Sequence, residues 1–197
     1  MTKDRRIRKT RAILKSTLIE IMTQKSIKHI TVKEICEIAD LNRGTFYLHY
    51  RDVYDMLEKI EEEFFDELTK IIESHKGEIT NDKKPLLEDL FSFSKNNKSF
   101  CKAMLSEHGD IGFMRKLLKY LYSEMQSLYG KNSSAAEHSC YFIIYGCIGL
   151  IENWLQTGAK ETPEEMAILA EEIIMDGISK YIKKENNNPL NIVIKTY

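Results

Sequence analysis

Hydrophobic residues recur every three or four positions along most of the chain, which is the spacing of one face of an α-helix. This spacing predicts helices over residues 6–25, 32–39, 43–50, 53–74, 85–96, 99–107, 112–129, 135–157 and 162–185. Strand-like alternation occurs at Leu190, Ile192 and Ile194, after the turn signal at Pro189. We therefore expect an all-α protein of about nine helices, whose tail at residues 186–197 is either an edge strand or a loose end.

Capping residues mark the starts of several of these helices. Thr31 and Glu34 form a T-x-x-E capping box ahead of the second helix, in which each side chain satisfies a backbone N–H at the helix start. Asn42 is placed to cap the third helix, and Thr162 precedes Pro163 at the start of the last one. Because the second helix ends near residue 39 and the third begins at residue 43, a very short turn joins them.

The segment over residues 31–50 therefore has the plan of a helix-turn-helix, whose second helix is exposed so that it can enter the major groove of DNA. The side of this segment that faces the core is expected to hold Ile35, Ile38, Leu41, Phe46 and Tyr50. Gly44 and Leu48 fall on the opposite side of the third helix. A glycine inside a helix costs roughly 1 kcal/mol relative to alanine, so a compensating function is expected there. The glycine lets the backbone approach base edges, and the leucine can contact a thymine methyl group.

The distribution of charge supports a nucleic-acid partner. Residues 1–51 contain twelve Lys or Arg and five Asp or Glu, a net charge of +7, whereas residues 52–197 carry a net charge of -8. Seven of the twelve cations lie within the first fifteen residues. A basic N-terminal part on an acidic body is typical of a polyanion-binding module attached to a solubilising domain.

Metal, cofactor and membrane functions are not indicated. The cysteines Cys36, Cys101, Cys140 and Cys147 form no C-x-x-C pair, so neither a zinc site nor a disulfide framework is expected. The Glu-His-Gly-Asp cluster at residues 107–110 is more typical of a solvated turn than of a metal site. The N-terminus is charged where a signal peptide needs an apolar run, and no stretch reaches about 18 apolar residues. We expect a cytoplasmic protein without cofactor, metal or membrane partner.

The stretch TVKEICEIADLNRGTFYLHY, residues 31–50, resembles the DNA-binding signature of TetR-family transcriptional regulators. The close resemblance covers residues 6–60, and the remainder is similar mainly in helix number and length. The stretch YGCIGLIENWLQTG, residues 145–158, resembles a subgroup of that family with a G-x-x-G-L-I-x-x-W-L helix. The resemblance implies a three-helix helix-turn-helix DNA-binding domain over residues 1–52, a connecting helix over 53–74 and a C-terminal ligand-binding and dimerisation domain over 75–185.

Such regulators bind a palindromic double-stranded DNA operator as homodimers, usually as repressors, and the resemblance implies release by a small hydrophobic or amphipathic effector. By position, the expected DNA contacts are Thr31, Lys33, Arg43, Gly44, Thr45, Tyr47, Leu48, His49 and Arg51. Family members commonly have Gly at the position of Asp40, which can still adopt a left-handed turn. They commonly have a phosphate-contacting Lys at the position of Val53, and we expect Arg51 to replace it.

The C-terminal helices are expected to supply the dimer and effector surfaces. In related regulators the last two helices pair with their mates, and Gly146 and Gly149 would permit close helix approach. The expected dimer contacts are Ile144, Ile148, Ile151, Leu155, Met166, Ile173 and Ile174. The expected effector contacts, chosen for adaptable apolar surface with some hydroxyls, are Phe91, Phe100, Met104, Phe113, Tyr120, Tyr141 and Tyr145.

Two other interpretations remain open. A helical protein-interaction module would share the fold but bind a protein through the third helix, and its affinity would not fall steeply as salt rises. Alternatively, a DNA-binding regulator is controlled by a partner protein or by cysteine oxidation instead of a small molecule. An enzyme is not expected, because the chain has no nucleophile elbow, phosphate loop or H-E-x-x-H motif.

Overall fold

The computed structural model describes residues 3–76, 85–129 and 134–182. These residues form nine α-helices and a short 3-10 helix at Ile27–His29, and none of them is in a strand. The helices are α1 (Lys3–Met22), α2 (Val32–Ile38), α3 (Arg43–Tyr47), α4 (Val53–Ser74), α5 (Leu86–Asn96), α6 (Lys98–Leu105), α7 (Ile111–Tyr129), α8 (Ser134–Gln156) and α9 (Pro163–Ile182). The all-α prediction is confirmed for these residues, and the tail predicted over 186–197 lies outside them.

The chain divides into two compact units, and the first contains residues 1–69 and 97–114. The apolar residues of α1 and α4 recur at three- and four-residue spacing, so each of these helices has one apolar face that packs into the core of this unit. An aromatic cluster in this core contains Phe64 of α4, Phe100 of α6 and Phe113 of α7. The distances between their ring centroids are 4.9 to 5.6 Å. The buried side chains of this core include Leu14, Leu18, Met22, Ile35, Phe46, Met56 and Ile60.

The structure corrects one side-chain placement in this unit and shows a buried carboxylate on α4. Ile38, predicted to face the core, has 55% of its surface exposed, whereas Cys36 is buried beside Ile35. On a helix turning about 100° per residue, the buried side is centred between residues 35 and 36, and Ile38 lies roughly 110° away from that direction. On α4, Glu61 is buried because it falls only about 40° around the helix from Leu57.

The third helix is shorter than the segment 43–50 predicted for it. It ends at Tyr47, because the N–H groups of His49 and Tyr50 both donate to the carbonyl oxygen of Phe46, at 2.9 and 3.0 Å, and tighten the last turn. The Asp52 carboxylate then accepts the backbone N–H of Asp55 at 2.8 Å, which starts α4.

The second unit contains residues 70–96 and 115–197. In its core, Phe91 of α5 meets the edge of Trp154 of α8 at a centroid distance of 5.6 Å. The turn after α8 is left-handed at Gly158, whose φ of 109° favours glycine. At the start of α9, marked in the sequence by Thr162 and Pro163, a capping box forms in both directions. Thr162 N–H donates to Glu165 at 2.7 Å, and Glu165 N–H donates to Thr162 at 3.1 Å.

None of the helices within the described ranges has the length and apolar character that a membrane crossing requires.

Candidate nucleic-acid interface

The turn between α2 and α3 is built by backbone hydrogen bonds that its residue types allow. Asp40 adopts a φ of 50°, as expected for this position. The N–H of Leu41 donates to the carbonyl oxygen of Cys36 at 2.9 Å, and that of Asp40 donates to Glu37 at 3.4 Å. This is the Schellman pattern, which ends a helix sharply and sets the direction of the chain that follows.

Side-chain caps start both helices of the helix-turn-helix. The Asn42 side chain accepts the N–H of Gly44 at 2.7 Å, as predicted for the N-cap of α3. Thr31 accepts the N–H of Glu34 at 3.2 Å, which is one half of the predicted capping box. The carboxylate of Glu34, expected to supply the other half, pairs with Lys25 at 2.7 Å. The cap residues are local in sequence, which explains why the pattern identified them.

The two sides of α3 have different surroundings. Phe46 and Tyr50 are buried, whereas Tyr47 and Leu48 have 57% and 80% of their surfaces exposed. Arg43 and Gly44 are exposed beside them, and Thr45 and His49 are half-buried. The helix therefore presents an apolar and cationic ridge to solvent while its aromatic side anchors it to the core.

The positions predicted in α2 lie near this ridge. Lys33 is exposed and pairs with Glu37 at 3.7 Å. An open depression of about 430 Å³ is lined by Lys33, Cys36, Glu37, Asp40, Leu41, Asn42 and Arg43. Lys33 and Arg43 thus border the same concave surface between the two helices of the motif.

At the start of α4, Val53 is buried, so a phosphate contact from this position is excluded by packing as well as by chemistry. Arg51 is exposed, and its Nε and Nη2 atoms lie 3.0 and 2.9 Å from Oδ1 of Asp55. Lys59 lies 3.0 Å from the other oxygen of Asp55 and also donates to the carbonyl oxygen of His49 at 3.2 Å.

Sequence analysis missed Asp55 and Lys59 as members of this cluster. Asp55 follows Arg51 by four residues, and Lys59 follows Asp55 by four. This spacing could have identified them, because residues four apart are neighbours on a helix surface. Tyr54 is exposed in the first turn of α4.

His49 is held near two cations. Burial lowers the pKa of His49, and the positive charges of Arg11 and Lys59 lower it further. The side chain of Arg11 also bonds the hydroxyl of Tyr50, and this hydrogen bond raises the pKa of Arg11. The imidazole of His49 is therefore biased toward its neutral form in the free protein, where one ring N–H remains available as a donor.

The predicted effector residues are divided between the two units. Phe100, Met104 and Phe113 are buried in the core of the first unit, where the two phenylalanines pack on Phe64. The other four, in the second unit, are Phe91, Tyr120, Tyr141 and Tyr145. Phe91 is buried against Trp154, and Tyr141 stacks on Tyr122 at 4.7 Å.

The residues predicted at the dimer surface also differ in exposure. Ile144, Ile148, Leu155 and Met166 are buried within the chain, Ile151 and Ile174 are half-buried, and Ile173 is exposed. Among the side chains that the structure describes, the large apolar ones exposed on α8 and α9 are Tyr141, Phe142, Tyr145, Ile168, Leu169, Ile173 and Met175. A Cβ atom added at Gly146 or Gly149 would meet nothing within 4 Å, so the backbone of α8 is open to approach there.

Burial affects the protonation of the four cysteine thiols. Burial raises the pKa of all four thiols, most strongly that of Cys101, to about 12, and this lowers their thiolate fraction. Within residues 3–76, 85–129 and 134–182, no three His, Cys, Asp or Glu side chains are grouped so as to hold a metal ion.

Comparison with known proteins agrees with this architecture. A TetR C-terminal family model, described as a transcriptional regulator C-terminal region, matches residues 81–176. An uncharacterized HTH-type transcriptional regulator from Bacillus subtilis, YxbF, is 26% identical over 164 residues, which are 79% of this chain and 42% of that protein. The chain therefore spans about two fifths of the length of this curated relative.

Two solved structures share the fold at low sequence identity. A tetR-family transcriptional regulator from Streptomyces coelicolor superposes with a TM-score of 0.58 at 14% identity, covering 88% of this chain and 86% of that one. The fatty acid degradation regulator FadR from Bacillus halodurans gives a TM-score of 0.61 at 13% identity, covering 86% and 96%.

The fold and its helix-turn-helix are therefore similar to those of helical transcriptional regulators. The family model and the curated relative are likewise those of transcriptional regulators, and the chain is similar to them.

Proposed function

We propose that this protein binds a palindromic DNA operator as a homodimer and acts as a repressor that a small hydrophobic or amphipathic effector releases. The observation that carries the proposal is the exposed side of α3, where Tyr47 and Leu48 project beside Arg43 and Gly44 from a helix anchored by Phe46. An exposed leucine alone would be unremarkable. A leucine, a glycine and an arginine on one exposed helix face fit the major groove.

The proposed DNA contacts fall into base contacts and phosphate contacts, according to the chemistry of each side chain. Arg43 is assigned to guanine, with its planar fork suited to the two acceptors of that base, and Leu48 to a thymine methyl group. Hydroxyl, imidazole and ammonium donors suit phosphate oxygens. The residues assigned to phosphates are Thr31, Lys33, Thr45, Tyr47, His49 and Arg51.

The domain assignment follows from these roles. We assign DNA reading to residues 1–52, the connection to helix 53–74, and dimerisation and effector binding to residues 75–185. The site of action of a DNA-binding regulator of this kind is the cytoplasm. No catalytic residue is assigned.

The homodimer is supported by the exposed apolar residues of α8 and α9. Tyr141, Phe142 and Tyr145 lie on one side of α8, beside the open backbone at Gly146 and Gly149. Two half-sites of a palindrome require two copies of α3, which a two-fold symmetric dimer supplies. Phe142→Glu should shift the protein from dimer to monomer in sedimentation, and an unchanged dimer would exclude this surface.

The DNA assignment is tested by operator binding. After the bound sequence is found by footprinting, Arg43→Ala and Tyr47→Ala should each lower operator affinity by about 1 to 3 kcal/mol in gel-shift assays while the dimer persists. Arg115→Ala, which removes an exposed cation on α7, is the matched control. Wild-type affinity in both α3 variants would remove the proposed recognition surface.

A salt titration separates DNA binding from the protein-interaction alternative. Operator affinity should fall steeply as salt rises, because each phosphate contact releases condensed counterions. The apolar exposure of Tyr47 and Leu48 would also suit a protein partner, and an α3-dependent protein complex with affinity insensitive to salt would favour that function.

A further inference from the structure

The Asp55 carboxylate in the first turn of α4 is the centre of a hydrogen-bonded cluster. Its Oδ2 accepts the backbone N–H of Arg51 at 3.0 Å and lies 3.0 Å from Nζ of Lys59. Its Oδ1 lies 3.0 Å from Nε and 2.9 Å from Nη2 of the Arg51 guanidinium. The Asp55 side chain is only 7% exposed, whereas that of Arg51 is 81% exposed.

The cluster also holds the end of the recognition helix. Lys59 donates to the carbonyl oxygen of His49 at 3.2 Å, and its Nζ lies 5.3 Å from the centroid of the Tyr50 ring. A single buried carboxylate therefore connects α4 to the turn that follows α3.

The geometry leaves Arg51 suited to bind an anion. A guanidinium has five N–H donors in a rigid plane, and Asp55 engages the edge formed by Nε and Nη2. The remaining donors belong to a side chain that is mostly exposed. A long side chain already held in one orientation loses less conformational freedom when it meets a ligand.

We propose that Asp55 is a positioning residue for DNA binding, which orients the Arg51 guanidinium toward a backbone phosphate. The proposal rests on the proposed function. It explains how Arg51 supplies the phosphate contact near the start of α4, where Val53 is buried. Asp55 acts through Arg51 and does not itself touch DNA.

Charge alone predicts the opposite effect of removing Asp55. A carboxylate near a phosphate repels it, so Asp55→Asn would strengthen binding if Asp55 mattered only through its charge. If Asp55 positions Arg51, the same substitution weakens binding. The sign of the change therefore distinguishes the two accounts.

The test measures the affinity of full-length wild type, Asp55→Asn, Arg51→Ala and the double variant for the operator and for an unrelated duplex across a salt series. Arg51→Ala should weaken both by about three- to tenfold and reduce the salt slope by about 1. Asp55→Asn should weaken both by a similar factor, and the double variant should bind within about twofold of Arg51→Ala. Glu62→Gln, the same charge change on an exposed residue of α4, is the control and should not weaken binding.

Asp55→Asn binding at or above wild-type affinity would overturn the proposal, and so would fully additive losses in the double variant. Should Asp55→Asn fail to fold, Arg51→Lys decides, because it keeps the charge but loses the planar fork. Full affinity in Arg51→Lys would then reject the positioning role, and a loss would support it. If the wild-type protein shows no salt-sensitive preference for an operator, the proposed function itself fails. If the wild-type protein binds the operator and Asp55→Asn binds it equally well, only the positioning role of Asp55 fails.

Discussion

Substituting Gly44 by alanine is expected to change stability and DNA affinity in opposite directions. Gly44 is the second residue of α3, and it is exposed. A Cβ atom built there would meet the Asn42 side-chain oxygen at 3.4 Å, an ordinary van der Waals contact, and nothing else within 4 Å. The folded protein therefore has room for the methyl group.

The expected gain in stability follows from the unfolded chain. Alanine has fewer conformations to lose than glycine, which is worth about 0.5 to 1 kcal/mol within a helix. For a chain of 150–250 residues this corresponds to a rise in Tm of about 1 to 4 °C. The lower part of that range is expected, because the position is close to the helix start.

The expected loss of affinity follows from the proposed interface. A methyl group on the exposed side of α3 would separate the backbone from the base edges and should cost about 1 to 3 kcal/mol, or roughly 5- to 150-fold in Kd. The two effects are measured by thermal unfolding and by fluorescence anisotropy with labelled operator.

The start of α7 offers a matched control. Gly112 N–H donates to the Asp110 side chain at 2.8 Å, as Gly44 N–H donates to Asn42 at 2.7 Å, and its added Cβ would lie 3.2 Å from the same Asp110 oxygen. Gly112→Ala should show a similar or slightly smaller thermal gain with operator affinity unchanged. A stable Gly44→Ala protein with wild-type affinity would refute the close approach of α3 to DNA.

Three further predictions follow from buried groups. The backbone N–H of residue 51 and the Lys59 ammonium lower the pKa of Asp55 from 3.8 to about 2, so its contribution to stability is present above pH 4 and lost as the pH falls toward 2. Thermal melts of Asp55→Asn should depend less on pH in that range, and equal pH slopes would contradict this. The Trp154 indole N–H has no hydrogen-bond partner among the described residues, so Trp154→Phe removes no hydrogen bond. In urea unfolding, Trp154→Phe should lower the free energy of unfolding by less than the about 3 to 5 kcal/mol expected for Trp154→Ala. Similar losses in the two variants would contradict this. Burial raises the pKa of Cys101 to about 12, so its thiol should resist alkylation at pH 8 until urea unfolds the protein, and rapid labelling of the folded chain would show otherwise.

Local chemistry made the helix-turn-helix predictable. Thr31, Asn42 and Thr162 act on backbone N–H groups two or three residues away, so a short window of sequence contains both partners of each hydrogen bond. The direction of Phe46 and Leu48 follows from helix geometry alone.

Other features depended on partners distant in the chain. Phe100 and Phe113 were predicted as effector contacts because their side chains are apolar and aromatic. Their packing on Phe64 depends on helices that are far apart in the sequence, so no short window contains both partners. The helix α8 is apolar around much of its circumference, so periodicity could not determine which side faces inward. Packing places Ile144 and Ile148 inside and leaves Phe142 exposed.

The amino-acid sequence by itself determined the helices, the caps and the short turn that exposes α3, because those interactions join near neighbours. Only the tertiary structure decided which carboxylate holds Arg51, which apolar side of α8 faces outward and which aromatic residues fill the core. Burial and long-range contact depend on the packing of whole helices, and no local pattern contains that information.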